Sequence, residues 1–152
     1  MYSFDAFLSN FPLICAIVGW CTAQVLKIFT NLFQTRKFDL RMLAASGGMP
    51  SSHSATVCAL MAACAIEYGF ASAELAISFV LAMIVMRDAS GVRWETGELA
   101  KLINKMMNEI FSGKPEEVNT GLKELVGHTP FQVVMGALLG VVIAVLMRSV
   151  LV

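Results

Sequence analysis

Three long apolar segments constrain the fold of this chain more than any other feature of its sequence. They cover residues 11–33, 54–86 and 131–152, and they are 23, 33 and 22 residues long. A helix needs about 20 apolar residues to cross the hydrocarbon core of a bilayer. An open sheet is excluded there, because its edges cannot find hydrogen-bond partners in lipid. The sequence therefore predicts one all-α integral membrane domain over residues 1–152.

The middle apolar segment is too long for a single straight span. Its 33 residues contain Tyr68-Gly69 near the centre, where a tight turn is favoured. We therefore expect two short spans in this segment, and a bundle of about four spanning helices. These spans lie near residues 11–33, 54–70, 71–86 and 131–152.

The composition supports the membrane assignment. Hydrophobic residues make up 57% of the chain and charged residues 14%, whereas soluble domains have roughly 45–50% and 25%. Eleven basic and eleven acidic residues give a net charge of zero, so no overall field attracts nucleic acid. A disordered chain and a coiled coil are excluded by the same composition.

One polar region has helical periodicity. Between residues 94 and 111 the apolar side chains share one helix face, and the charged side chains fall elsewhere. The apolar face consists of Leu99, Leu102, Ile103, Met106 and Ile110. Two interpretations of this amphipathic helix are open. It packs on the protein's own spans, or it lies in the membrane interface with Trp94 as an anchor.

The basic residues predict the orientation of the spans. They concentrate in the loop over residues 34–53 and in the region over residues 87–129, and loops rich in Lys and Arg remain cytoplasmic. They include Arg36, Lys37, Arg41, Arg87, Arg93, Lys114 and Lys123. Both regions should therefore be cytoplasmic, and both termini should face outward.

This topology brings the two histidines of the chain to the same side of the membrane. His53 and His128 lie in Pro50-Ser-Ser-His53 and Gly127-His-Thr-Pro130, each just before a span. The same side collects Lys27 near the end of the first span, where an ionisable group indicates function or a side chain that snorkels to the interface. It also collects Arg87, Asp88 and Arg93, which indicate either a functional cluster or an ordinary stop signal with a salt bridge.

These residue types suit a phosphate. Helix N-termini present N–H groups and a positive dipole end to an anion, and Lys and Arg neutralise the charge of phosphoryl oxygens. One histidine can attack phosphorus and the other can protonate the leaving oxygen. This interpretation requires no metal and no cofactor.

Three stretches resemble a known family. Ala45-Ser-Gly-Gly-Met-Pro-Ser-Ser-His-Ser-Ala55, Arg87-Asp-Ala-Ser-Gly-Val-Arg93 and Gly127-His-Thr-Pro130 are similar to the divergent type 2 phosphatidic acid phosphatase family, which is related to acid phosphatases and vanadium-dependent haloperoxidases. The superfamily motifs are KxxxxxxRP, PSGH and SRxxxxxHxxxD. Their histidines are the general acid and the nucleophile, and their Lys, Arg and Ser hold the phosphate without a metal.

The first two motifs carry over to particular residues of this chain. Pro50-Ser51-Ser52-His53 departs from the second motif at Ser52 alone, so the resemblance implies a general acid at His53 and phosphate contacts from the two serines. For the first motif it implies phosphate contacts from Lys27 and from Arg36, which follows nine residues later without a proline.

The third motif matches least. The resemblance implies that His128 is the nucleophile, but Gln132 stands where the superfamily has aspartate, and no Ser-Arg pair precedes the histidine. Asp88 is the candidate for the missing negative charge, and Arg87 or Arg93 for the missing arginine. Glutamine can orient an imidazole but cannot stabilise its charged form as a carboxylate does.

The sequence therefore predicts a membrane-embedded, metal-independent phosphatase for a lipid phosphate of the phosphatidic acid, phosphatidylglycerophosphate or isoprenoid type. The alternative is a catalytically decayed relative that binds phospholipid headgroups or protein partners. The third motif favours that alternative and the retained histidine pair opposes it. Haloperoxidase activity has less support because it usually belongs with a soluble scaffold, and a transporter has less support because no inverted repeat is evident. A homo-oligomer is compatible with the sequence.

Overall fold

The structure, a computed structural model, describes residues 8–36, 48–110, 122 and 127–151. It contains five long helices and no strand within those ranges, so the all-α prediction is confirmed. The helices are α1 (Phe11–Thr35), α2 (Ser52–Tyr68), α3 (Ala73–Ser90), α4 (Val92–Ile110) and α5 (Pro130–Leu151). Lys37, Arg41, Lys114 and Lys123 of the orientation argument lie outside the described residues.

Three stretches of these helices are long and apolar enough to cross a membrane. They are Phe11–Phe33, Ala73–Ile110 and Pro130–Val150. The second runs through α3 and α4 together. The central α2 has 17 residues, which is shorter than the roughly 20 of a typical span.

The predicted turn within the middle apolar segment is confirmed. α2 ends at Tyr68 and Gly69 follows with a φ of 83°, a backbone conformation that glycine adopts without strain. α3 begins after Ser72, whose hydroxyl accepts a hydrogen bond from the N–H of Leu75 at 3.2 Å. Such a cap satisfies one of the N–H groups that every helix start leaves unpaired.

Small residues hold α2 against its neighbours. A Cβ atom added at Gly140 of α5 would lie 2.3 Å from the carbonyl oxygen of Ala55, and one added at Gly136 would lie 2.3 Å from that of Ser51. On the other side, a Cβ at Gly19 of α1 would lie 3.0 Å from the Cβ of Ala59. We call these packed faces of α1, α2 and α5 the small-residue seam. Backbones approach this closely in membrane bundles because lipid provides no hydrophobic force between helices.

The α3–α4 arm has a different surface. Large apolar side chains of α3 are exposed, as are those on the apolar face of α4. They include Ile77, Phe79, Val80, Met83 and Ile84 on α3, and Leu99, Leu102, Ile103, Met106 and Ile110 on α4. Within the described residues α4 therefore does not pack its apolar face on the spans, which was the first of its two interpretations.

Candidate functional site

Four helix ends meet at one end of the bundle and form the candidate site. They are the last turns of α1 and α3 and the first turns of α2 and α5. The N–H of His128 donates to the carbonyl of Ala89 at 3.0 Å, which ties the segment before α5 to α3. The N–H of Ser51 donates to the carbonyl of Gln132 at 3.1 Å, which ties α2 to α5. The two histidine-bearing segments are thus fixed by backbone hydrogen bonds.

The two histidines face each other across this end. The ring centroids of His53 and His128 are 5.7 Å apart and the rings are inclined by 66°. The structure therefore brings the two histidines together at one end of the bundle. Both segments begin a helix, and N-termini of helices attract anions through unpaired N–H groups and the helix dipole.

The hydrogen bonds of His128 indicate which ring nitrogen carries its proton. Nδ1 lies 3.4 Å from Oε1 of Gln132, and the same oxygen accepts the N–H of Thr129 at 3.1 Å. Because that oxygen can only accept, Nδ1 of a neutral His128 holds the proton and Nε2 holds a lone pair. Nε2 is buried and has no hydrogen-bond partner among the described residues.

Gln132 also caps α5. Its side-chain oxygen accepts from the N–H of Thr129, and its own N–H donates to the hydroxyl of Thr129 at 3.4 Å. This reciprocal pair is a capping box, with Pro130 at the first helical position. This capping role does not follow from the motif match, although the Thr-Pro-Phe-Gln string already signals a helix start.

The surroundings of His128 favour its neutral form. Burial lowers its pKa from 6.5 to about 4, and the positive charge of Lys27 acts in the same direction. The Gln132 side chain and the backbone of Gly48 oppose this shift, and the His53 ring adds slightly to it. At neutral pH His128 is therefore uncharged, which is the form in which an imidazole nitrogen can donate a lone pair.

Lys27 reaches the site from α1. Its side chain is 1% exposed and its Nζ donates to the hydroxyl of Ser52 at 3.1 Å, so the lysine does not snorkel to the surface. One turn further on, the hydroxyl of Thr30 donates to the carbonyl of Met49 at 2.5 Å. The segment that precedes α2 is thus held against α1 beside the ammonium group.

The two serines of the second motif are buried at the start of α2. Ser51 caps the helix, and its hydroxyl oxygen accepts from the N–H of Ser54 at 3.3 Å and from the hydroxyl of Ser54 at 3.1 Å. Its own hydroxyl proton remains available for a further acceptor. Ser54 is a contributor that the motif comparison did not single out.

Asp88 and Arg93 lie at the edge of the site. Nε of Arg93 and Oδ2 of Asp88 form an ion pair of 2.5 Å, and both side chains are nearly half exposed. Both charges are close enough to act electrostatically on His53. Gly127 brings this edge close to His128, because a Cβ there would lie 2.4 Å from the Cα of Trp94.

The structure does not bring the other two arginines into described contact with the histidines. Arg87 is exposed in the last turn of α3. Arg36 is exposed and caps the end of α1 with a φ of 55°. Since it follows Lys27 by nine residues, it lies about 13 Å further along the helix axis. The cluster that the structure assembles is therefore Lys27, Ser51, Ser52, His53 and His128.

This cluster can bind an oxyanion and transfer a group to nitrogen. It contains a buried ammonium, buried hydroxyls, two helix N-termini and a neutral imidazole with a lone pair. The described residues include no group of three or more His, Cys, Asp or Glu side chains that could hold a metal ion.

Comparisons with known proteins identify the family of this chain. The profile of the Divergent PAP2 family matches residues 8–143. The chain is 37% identical over 150 residues to a Bacillus subtilis (strain 168) protein, "Uncharacterized membrane protein YuiD". That alignment covers 92% of this chain and 95% of the relative. No solved structure matches the chain.

Proposed function

Because this chain belongs to the Divergent PAP2 family, we propose that it is a membrane phosphatase that hydrolyses a lipid phosphate through His128. The observation that carries the proposal is the buried Nε2 of His128, which has no partner within the described residues and stands beside a second histidine and a buried lysine. A buried polar atom without a partner is uncommon and calls for an explanation. A phosphoryl group at that position supplies one.

Each group has a role in two chemical steps. Nε2 of His128 attacks phosphorus, a nitrogen–phosphorus bond forms and the bond to the lipid oxygen breaks. His53 gives its proton to that leaving oxygen. His53 then removes a proton from water, which attacks phosphorus, releases inorganic phosphate and regenerates His128. Lys27, Ser51 and Ser52 neutralise and orient the phosphoryl oxygens in both steps.

The placement in the membrane is part of the proposal. Four helices cross the bilayer, and α2, which is short for a span, is surrounded by α1, α3 and α5. The basic loops lie in the cytoplasm, both termini lie outside, and α4 lies in the interface with its apolar face in lipid. The site is then at headgroup depth in the cytoplasmic leaflet. Phosphatidic acid, phosphatidylglycerophosphate and isoprenoid phosphates are the candidate substrates.

A second candidate function is supported by Gln132. Its role in the capping box explains its presence without catalysis, and an amide does not stabilise an imidazolium as a carboxylate does. On this view the chain is a decayed phosphatase that binds phospholipid headgroups at the same cluster.

Phosphate release separates the two functions. Purified protein in detergent is given a panel of lipid phosphates in the presence of EDTA, with His128→Ala as the control. The phosphatase predicts metal-independent release that falls at least about a thousandfold in the variant. Release that persists in the variant would exclude His128 as the nucleophile. No release from any lipid by folded protein, with headgroup binding retained, would favour the binding function.

Variants of His53 test the proton donor. His53→Ala should slow the hydrolysis of lipid phosphates, which have poor leaving groups, far more than that of p-nitrophenyl phosphate, whose leaving group needs little protonation. Equal loss for both substrates would exclude His53 as the general acid.

A further inference from the structure

A groove runs along the outside of the bundle between α3 and α5. Both helices pack on α2 but hardly on each other, and the gap between them encloses about 310 Å³. Its floor consists of small residues and its rim of large apolar ones that are half exposed. The floor residues include Cys58, Ala82 and Ala137, and the rim residues include Phe79, Met83 and Val142.

The lining of the groove is apolar along its whole length. Methionines contribute to the wall, and their flexible side chains adapt to ligands of variable shape. Such a surface offers nothing to a headgroup or a water-soluble phosphate. It suits a hydrocarbon chain.

The groove begins beside the candidate site. Met86 of its wall lies three residues before Ala89, whose carbonyl accepts the N–H of His128. Ala137 of its floor directly follows Gly136, which packs on the carbonyl of Ser51. One end of the groove is therefore about one helical turn, or 5 Å along α3, from Ala89, which holds the backbone of His128. From there it continues along α3 as far as Phe79, roughly 10 Å deeper.

We propose that this groove holds one hydrocarbon chain of the lipid whose phosphate occupies the histidine cluster, an inference that rests on the proposed phosphatase function. With phosphorus at His128, the leaving oxygen points toward His53 and the carbon chain needs an apolar path away from both. The groove provides that path and opens sideways toward lipid. A lipid phosphate can thus enter from the bilayer, whereas a phosphate without a long chain gains no contact there.

A pair of neighbouring substitutions tests this assignment. Met83→Trp fills the groove, and Ile84→Trp adds the same side chain to lipid-facing surface outside it; both residues are exposed on α3, by 54% and 62%. Met83→Trp should lower kcat/KM for dioleoyl-phosphatidic acid roughly tenfold and leave p-nitrophenyl phosphate within about twofold of the wild type. Ile84→Trp should change neither. Equal effects of the two variants on the lipid substrate would overturn the proposal.

A binding experiment works even if the chain has no phosphatase activity. A phosphonate analogue of phosphatidic acid, with a diazirine on one acyl chain, is photolysed with wild-type protein in lipid nanodiscs, and the labelled residues are mapped. Labelling on the groove faces of α3 and α5, displaced by dioleoyl-phosphatidic acid but not by diolein, would support the groove. Labelling spread over the lipid-facing surface would overturn it, even where phosphate release is observed. Displaceable labelling without phosphate release would support the groove as a hydrocarbon-chain site and contradict the phosphatase function.

Discussion

The small-residue seam and the α3–α4 arm bury very different parts of the chain. In α2 nine of 17 residues are buried, among them four alanines, whereas in α4 the buried residues are Gly97 and Ala100. The site follows the same division. Lys27, Ser51, Ser52 and His128 are buried, while Asp88 and Arg93 of the arm are nearly half exposed.

The difference indicates how the fold is stabilised. A soluble protein places large apolar side chains inside, but here alanine, glycine and cysteine fill the interior and the large side chains face outward. Lipid is as apolar as leucine, so helices gain by close backbone approach rather than by removing large side chains from water. We infer that the seam fixes the chemical groups and that the arm adjusts the edge of the site.

The largest effect is expected from a substitution in the seam. Gly140→Leu places a Cβ 2.3 Å from the Ala55 carbonyl, so α5 must move away from α2. We expect a loss of about 3 kcal/mol or more in the free energy of unfolding, or no folded protein. Thermal unfolding in detergent measures it, with the exposed Val141→Leu as a control that should change little. Unchanged stability of Gly140→Leu would show that the seam is looser than described.

The next largest effect is expected when a buried lysine is replaced, and replacement of an exposed lysine is its control. Lys27→Met removes the charge beside His128 and should reduce phosphate release by about a hundredfold or more. Its stability should be equal or higher, because a buried charge is costly to desolvate. Lys101→Met on α4 breaks an exposed pair with Glu98 and should alter both quantities only slightly. Full activity of Lys27→Met would remove Lys27 from the site.

The pH dependence tests the role of Gln132. With a pKa of about 4, His128 loses its nucleophilic form only in strong acid, so kcat/KM should stay high as pH falls and decline near pH 4. Gln132→Glu keeps the capping box and adds a negative charge, which favours the protonated ring. The acid limb should then move upward by about one to two pH units. An acid limb that does not move would show that residue 132 does not act on His128.

The smallest effect is expected in the arm. Asp88→Asn breaks the exposed pair with Arg93 and should cost less than about 1 kcal/mol of stability and a few-fold in phosphate release. Glu98→Gln, in another exposed pair of the arm, is the control for general surface effects. If Asp88→Asn abolished activity as His128→Ala does, the proposed division between seam and arm would be wrong.

Much of the site was predictable because topology follows from apolar runs and helix starts. His53 and His128 both stand where an apolar helix begins, and this alone predicted that they lie on the same side. Lys27 was predictable because an ionisable group inside a span needs a reason. The helix start at Ser51 follows from ordinary N-cap preferences.

Other features depend on which helices pack against each other, and the sequence does not show this. The spacing of Gly136 and Gly140 indicates a close helix contact, but the sequence does not reveal that α2 is the helix they contact. Arg36 matches the first motif by residue type, but it lies nine residues, or about 13 Å, further along the helix than Lys27. The sequence predicted about four spans, whereas three stretches of the described helices are long and apolar enough to cross a membrane. The difference is α2, which has 17 residues and is short for a span.

Trapping the covalent intermediate tests the central claim most directly. The protein is mixed with phosphatidic acid that carries a radiolabelled phosphate, denatured in alkali within milliseconds, and analysed by mass spectrometry. The account predicts phosphohistidine at residue 128, with the phosphate on Nε2, because Nδ1 is held by Gln132. Phosphate release without a phosphohistidine, or with the label on another residue, would contradict it.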